Sequence, residues 1–77
     1  MSYLVTGKQI RAARALLGWS QSQLAEKAGI SITPIARLER EEVNTKTGTL
    51  ISLIKALEQA GIVFINEENS EGVKLLE

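Results

Sequence analysis

The 77-residue sequence contains no cysteine and no histidine. Their absence excludes a disulfide framework, a thiolate metal site and any imidazole acid or base. No serine has a plausible base beside it, so nucleophilic catalysis has no candidate and the chain is expected not to be an enzyme. Charge of one sign is also missing: nine Lys/Arg stand against nine Asp/Glu, which argues against a non-specific nucleic-acid coater. No apolar run approaches the length of a membrane span, and the uncharged start MSYLV lacks a signal peptide's basic region. The expectation is a soluble, cytoplasmic chain without a membrane partner. Length is scarce too. One domain over 1–77 leaves no room for an enclosed cleft and a second layer. A core of that size supplies only a few kcal/mol, about 3–5, and dimerisation is one way to add to it. Glu67, Glu68, Asn69 and Glu71 offer oxygens, but not at the spacing of a calcium loop. They read as a solvated acidic turn, so neither a metal nor a cofactor is expected.

What is present is unevenly distributed. Residues 1–40 carry six Lys/Arg (Lys8, Arg11, Arg14, Lys27, Arg37, Arg40) against Glu26 and Glu39, while residues 41–77 carry three basic and seven acidic. The halves therefore differ by +4 to −4. Within the basic half lies SQSQLAEKAGISITPIARL, residues 20–38. Ser20 and Gln23 form an S-x-x-Q capping box, with Trp19 and Leu24 at staple spacing. Gly29 follows the helix where a left-handed residue is needed. Ser31 is a second cap, with Ile30 and Ile35 as its staple. A helix, a tight glycine turn and a freshly capped helix read as helix-turn-helix.

Upstream, Thr6 and Gln9 give a further capping box for a helix over 7–17, with Ile10, Ala13 and Leu17 as its stripe, Leu16 at the margin and Gly18 as its stop. Downstream, Leu50, Leu53, Ile54 and Leu57 set the core face of a helix over 48–60, leaving Ile51 as surface or dimer contact. After Gly61 the period changes. Ile62–Ile65 and Val73–Leu76 flank the polar NEENSEG, giving a β-hairpin over 62–76 with a loop of about five or six residues. A lone hairpin is marginal in water. Val63, Phe64, Leu75 and Leu76 suit it either to pairing with another chain or to folding back on its own core. Tyr3, Leu4 and Val5 read as extended chain at a core edge.

Residues 20–40 resemble the Cro/repressor-type (Xre-like) helix-turn-helix family, through Leu24, the small Ala25, Gly29, Ile35 and Leu38 at the family's spacing. IRAARALLGWSQ and TLISLIKALEQAGI look like the same family, so the resemblance covers roughly residues 6–60. It implies a mainly α, lambda-repressor-like four-helix domain, here followed by the hairpin. It also implies double-stranded DNA as partner, with the second motif helix entering the major groove by its N-terminal turn. The matching positions make Ile32, Thr33 and Arg37 the base-contact candidates. Arg37 suits guanine O6 and N7, Thr33 a base edge and Ile32 a thymine methyl. Gln21 matches a phosphate-contacting position, with Ser31, Arg11, Arg40 and Lys46 as further phosphate candidates.

The resemblance further implies an ion pair between Arg14 and Glu39; a solvated helix face is the alternative for Arg14. The sequence departs from the family at Pro34, which presses Thr33 away from the α region, and at Glu41, Glu42 and Thr45, where relatives often have a glycine, a basic residue and a proline. The function implied is a sequence-specific transcriptional regulator, acting by occupancy as a homodimer on a palindromic operator. The alternative is an antitoxin-like or other protein-interaction module with a small toxin as partner. Neutral total charge, Glu41/Glu42 and the apolar hairpin support that alternative.

Overall fold

Helix ends written into the sequence set most of the architecture. The computed structural model describes residues 5–40, 47–68 and 70–76. Helix α1 (Gly7–Leu17) starts at Thr6, whose hydroxyl accepts from the Gln9 N–H at 3.3 Å while Gln9 Oε1 accepts from the Thr6 N–H at 3.0 Å. Helix α2 (Gln21–Ala28) repeats the device: Ser20 Oγ accepts from the Gln23 N–H at 3.0 Å and Gln23 Oε1 from the Ser20 N–H at 2.8 Å. Its last turn closes through Gly29 at φ 70°, with the Ile30 N–H returning to the Ala25 carbonyl at 3.1 Å. Any side chain at Gly29 would be strained by that left-handed backbone.

Helix α3 (Ile32–Glu39) follows two residues later, with Arg40 at its C-terminal cap. Ser31 stands at the N-cap, but its side chain makes no capping hydrogen bond. The expected cap position holds, and the missing bond has a physical reason. In α1 and α2 the capping oxygen accepts from the third helical N–H. In α3 the third residue is Pro34, which has none. Pro34 does not prevent the helix itself, because a first-turn N–H has no intrahelical acceptor to lose.

Helix α4 (Thr47–Gln59) leads through Gly61 into β1 (Ile62–Glu67), which pairs antiparallel with β2 (Ser70–Leu75). The register runs from Ile62↔Leu75 to Glu67↔Ser70, so two residues connect the strands. The expected loop was longer. Main-chain pairing continues past the apolar positions because ladder bonds need no apolar side chain, and the exposed tip carries polar residues at no burial cost.

One core serves all the elements. Ile10 of α1, Leu24 of α2, Ile35 of α3, Leu53 and Leu57 of α4, and Ile62 of β1 are all fully buried. Phe64 is buried with them, and Val73 and Leu75, which share its face of the hairpin, pack against the same cluster. The hairpin's apolar face is thus spent on its own chain. At roughly 1.5–3 kcal/mol per fully buried large apolar side chain, this is the main stabilising term.

A polar clasp adds direction. Gln9, only 2% exposed, donates from Nε2 to the Ile65 and Gly72 carbonyls at 3.2 and 3.0 Å, and Thr6 Oγ1 donates to Glu71 at 2.9 Å. A residue first legible as a helix cap therefore also fixes the hairpin on α1. Gly7 meets α3 so closely that an added Cβ would lie 1.9 Å from the Leu38 carbonyl oxygen. The readings at Tyr3, Leu4, Glu41, Glu42, Thr45, Lys46 and Asn69 fall outside the described residues.

Candidate nucleic-acid interface

Burial along α3 divides the helix into an inner and an outer face. Ile35 and Glu39 are buried; Ser31, Ile32, Thr33, Arg37 and Arg40 are exposed; Pro34, Ala36 and Leu38 lie between. Ile32, 41% exposed, is one of the few large apolar side chains left in solvent. Thr33 and Arg37 are four residues apart, so they lie one above the other on the outer face. Among the described residues Arg37 makes no ion pair or hydrogen bond. Thr33 and Arg37 therefore share one exposed strip, and Ile32 is exposed at the first position of the helix.

The inner face is anchored by charge. Arg14 of α1 meets Glu39 of α3 in a two-pronged pair, Nε to Oε2 at 2.7 Å and Nη2 to Oε1 at 2.8 Å. Its remaining nitrogen, Nη1, donates to the Trp19 carbonyl at 2.8 Å, just ahead of α2. Gln21 of α2 donates from Nε2 to Glu39 Oε1 at 3.2 Å. Glu39 is only 4% exposed, and three donors from two helices satisfy it. The Arg14 guanidinium is held above its ordinary range, chiefly by the hydrogen bonds to Glu39 and further by that charge, with burial opposing both. This constellation ties α1, the entry to α2 and the end of α3 into one frame. It is the buried alternative for Arg14, not the solvated one.

The phosphate candidates are more scattered. Gln21, half-buried at the first position of α2, engages Glu39 with its amide nitrogen, which leaves one N–H of that group uncommitted. Arg11 is exposed but donates from Nη1 to the Glu39 carbonyl at 3.3 Å, covering the C-terminal end of α3. Ser31 is exposed at the mouth of α3 and Arg40 at its far end. Lys46 lies outside the described residues. Trp19 packs against the core and receives Lys27 Nζ at 5.8 Å from its ring centroid, a cation–π contact rather than a base-stacking surface.

Two contacts that set this geometry have little or no signal in the sequence. Gly7 lets the backbone of α1 reach that of α3, and the only signal for it was a glycine directly after a capping threonine. The bond from Gln21 to Glu39 had no local signal, because the partners are eighteen positions apart. Among the described residues no group of three or more acidic side chains is placed to hold a metal ion. No helix there is long and apolar enough to cross a membrane.

Comparison with known proteins agrees with the geometry. The helix-turn-helix family profile matches residues 10–59, from the buried stripe of α1 to the end of α4. Control protein C.SmaI of Serratia marcescens is 42% identical over 53 residues, which is 69% of this chain. The matched stretch spans 63% of that relative's length. An exposed second helix, a glycine turn and a shared buried frame are thus joined by sequence likeness over most of the chain. The chain belongs to the Cro/repressor-type, Xre-like helix-turn-helix family of DNA-binding regulators.

Proposed function

We propose that this protein is a sequence-specific DNA-binding transcriptional regulator that inserts the outer face of α3 into the major groove. The observation that carries the reading is the exposure of Ile32, Thr33 and Arg37 on a helix whose inner side is locked by Arg14, Gln21 and Glu39. A rigidly backed helix with an exposed arginine suits groove reading. Arg37 offers a paired donor set for guanine O6 and N7, worth about 1–3 kcal/mol of discrimination. Ser31, the second N–H of Gln21, and the basic side chains of Arg11, Arg40 and Lys46 are assigned to phosphates, which set register rather than sequence.

In this reading the protein acts as a cytoplasmic homodimer on a palindromic operator, with half-sites about 34 Å apart. Among the described residues Leu16, Ile51 and Leu76 are exposed apolar side chains that a twofold contact would cover. The antitoxin-like reading loses much of its support, because Ile62 and Phe64 of the hairpin are buried within the chain itself.

Fluorescence titration of the full chain against its own promoter region tests the proposal. Binding should exceed that to random duplex at the same salt, and Arg37→Ala should weaken it about 5- to 150-fold, the range that 1–3 kcal/mol implies. Equal affinity for both duplexes, or no effect of Arg37→Ala, would refute it. A straight log–log salt dependence should accompany binding, as counterions leave the phosphates.

A further inference from the structure

The outer face of α3 is informative in what it omits. Bidentate reading of adenine N6 and N7 uses an asparagine or glutamine amide, and cytosine N4 is read by a carboxylate. Helix α3 has no asparagine, glutamine or aspartate, and its one glutamate is closed into the pair with Arg14. Of the neighbouring α2 amides, each has one group committed within the protein. Gln21 donates to Glu39 at 3.2 Å, and Gln23 is held in the capping box with Ser20. What α3 does expose is the sec-butyl group of Ile32, the methyl and hydroxyl of Thr33, part of the Pro34 ring, and Arg37. A threonine hydroxyl can donate or accept and so discriminates weakly between bases. Two base-specific features in the major groove match this set: the guanine O6/N7 pair and the thymine C5-methyl.

We propose that α3 recognises A·T pairs through the thymine methyl, packed against Ile32 and the Thr33 methyl, and does not read adenine. The proposal rests on the DNA-binding reading above and specifies its chemistry. A half-site then consists of a guanine taken by Arg37 and one or two thymines nearby. The rise of 1.5 Å per residue separates Ile32 from Arg37 by about 7.5 Å along α3, so the two meet different base pairs. Specificity for those thymines is a hydrophobic quantity: it comes from removing a methyl from water, without any hydrogen bond to the base.

The test separates the methyl from every hydrogen-bonding group of the pair. Duplexes bound by the full chain are selected from a random pool. In the tightest, each thymine is replaced in turn by uracil, and each adenine in turn by 7-deazaadenine. Uracil removes only the methyl; 7-deazaadenine removes the N7 acceptor and keeps the methyl opposite. At one or more pairs per half-site, uracil should weaken binding about fourfold, the value of one buried methyl-sized group. The 7-deazaadenine at the same pairs should leave affinity unchanged. In Ile32→Ala or Thr33→Ser the uracil penalty should shrink toward none at the pair each residue covers.

A selected site indifferent to every uracil would overturn the proposal while leaving the DNA-binding reading intact. So would a loss at 7-deazaadenine in place of uracil, or a uracil penalty undiminished in both variants. A pool that yields no duplex preferred over random would overturn both.

Discussion

Replacing Arg14 by alanine is the most searching single perturbation of this fold. It leaves Glu39, 4% exposed, with the Gln21 amide as its one remaining side-chain donor. Removing one partner of a buried pair costs about 3–5 kcal/mol, because the stranded charge cannot return to water. The Arg14 side chain keeps 18% of its exposure, so the lower half of that range is expected, about 3 kcal/mol. Against it stands a total stability of about 4–12 kcal/mol for a chain of 77 residues, from 0.05–0.15 kcal/mol per residue. With a urea slope near 1 kcal/mol/M, the midpoint should fall by about 3 M. Trp19 is the chain's one tryptophan, and its carbonyl receives Arg14 Nη1, so its fluorescence follows unfolding from beside the lesion.

The decisive control is the double variant Arg14→Met/Glu39→Met. An apolar pair of similar bulk carries no stranded charge, so it should recover most of the loss. An Arg14→Ala cost below about 1 kcal/mol, in the range of surface pairs, would refute the reasoning. A double variant as unstable as the single one would refute it too. The pH dependence has a definite sign. Glu39 raises the folded-state value of Arg14, so the stabilisation is complete below the ordinary guanidinium range and is lost only as pH rises through the folded value. The gap between wild type and Arg14→Ala should therefore stay flat from neutral pH to about 10.

Other substitutions probe the remaining joints. Gly7→Ala places a methyl 1.9 Å from the Leu38 oxygen, so backbone must move; the cost should reach at least the about 1–3 kcal/mol of ordinary overpacking, read by urea melts. Gln9→Ala removes both bonds from α1 to the Ile65 and Gly72 carbonyls. It should cost about 1–3 kcal/mol and speed hydrogen exchange in the hairpin more than in α2. Ser31→Ala should be almost neutral in the native sequence, since Ser31 makes no capping bond. In a Pro34→Ala background the same change should cost about 1 kcal/mol, because the third helical position then carries an N–H to cap.

The parts of this molecule legible in advance are those whose physics is local. Thr6 with Gln9, and Ser20 with Gln23, announce their helices within four residues, and Gly29 announces its turn, because caps and left-handed residues depend only on neighbours. The candidates Ile32, Thr33 and Arg37 come from likeness to a family, and the exposure of Thr33 and Arg37 follows from Ile35 and Glu39 taking the inward positions. Long-range contacts left weaker traces. Nothing near Gln9 signals that its amide reaches the hairpin, and nothing near Gly7 signals contact with Leu38. The hairpin's extent was misjudged because side-chain periodicity marks burial, whereas strand ends follow main-chain pairing. At Ser31 the cap position is legible but the capping bond is not, because the identity of the residue three positions on decides whether that donor exists.

That missing bond bears on how the chain divides its stability. Helices α1 and α2 are closed at both ends, by capping boxes at the start and by Gly18 and Gly29, each at φ 70°, at the finish. Helix α3 has neither device: its N-cap side chain is unbonded, and its C-cap is Arg40 at φ −84° rather than a left-handed glycine. An eight-residue helix does not hold itself together in water. Its order comes from Ile35 in the core and from Glu39 under Arg14 and Gln21, both on the inner face. Among the described residues no side chain caps the first turn of α3, which in the proposed complex lies against a phosphate. Stability placed behind the helix instead of at its mouth is what leaves that mouth open to a duplex.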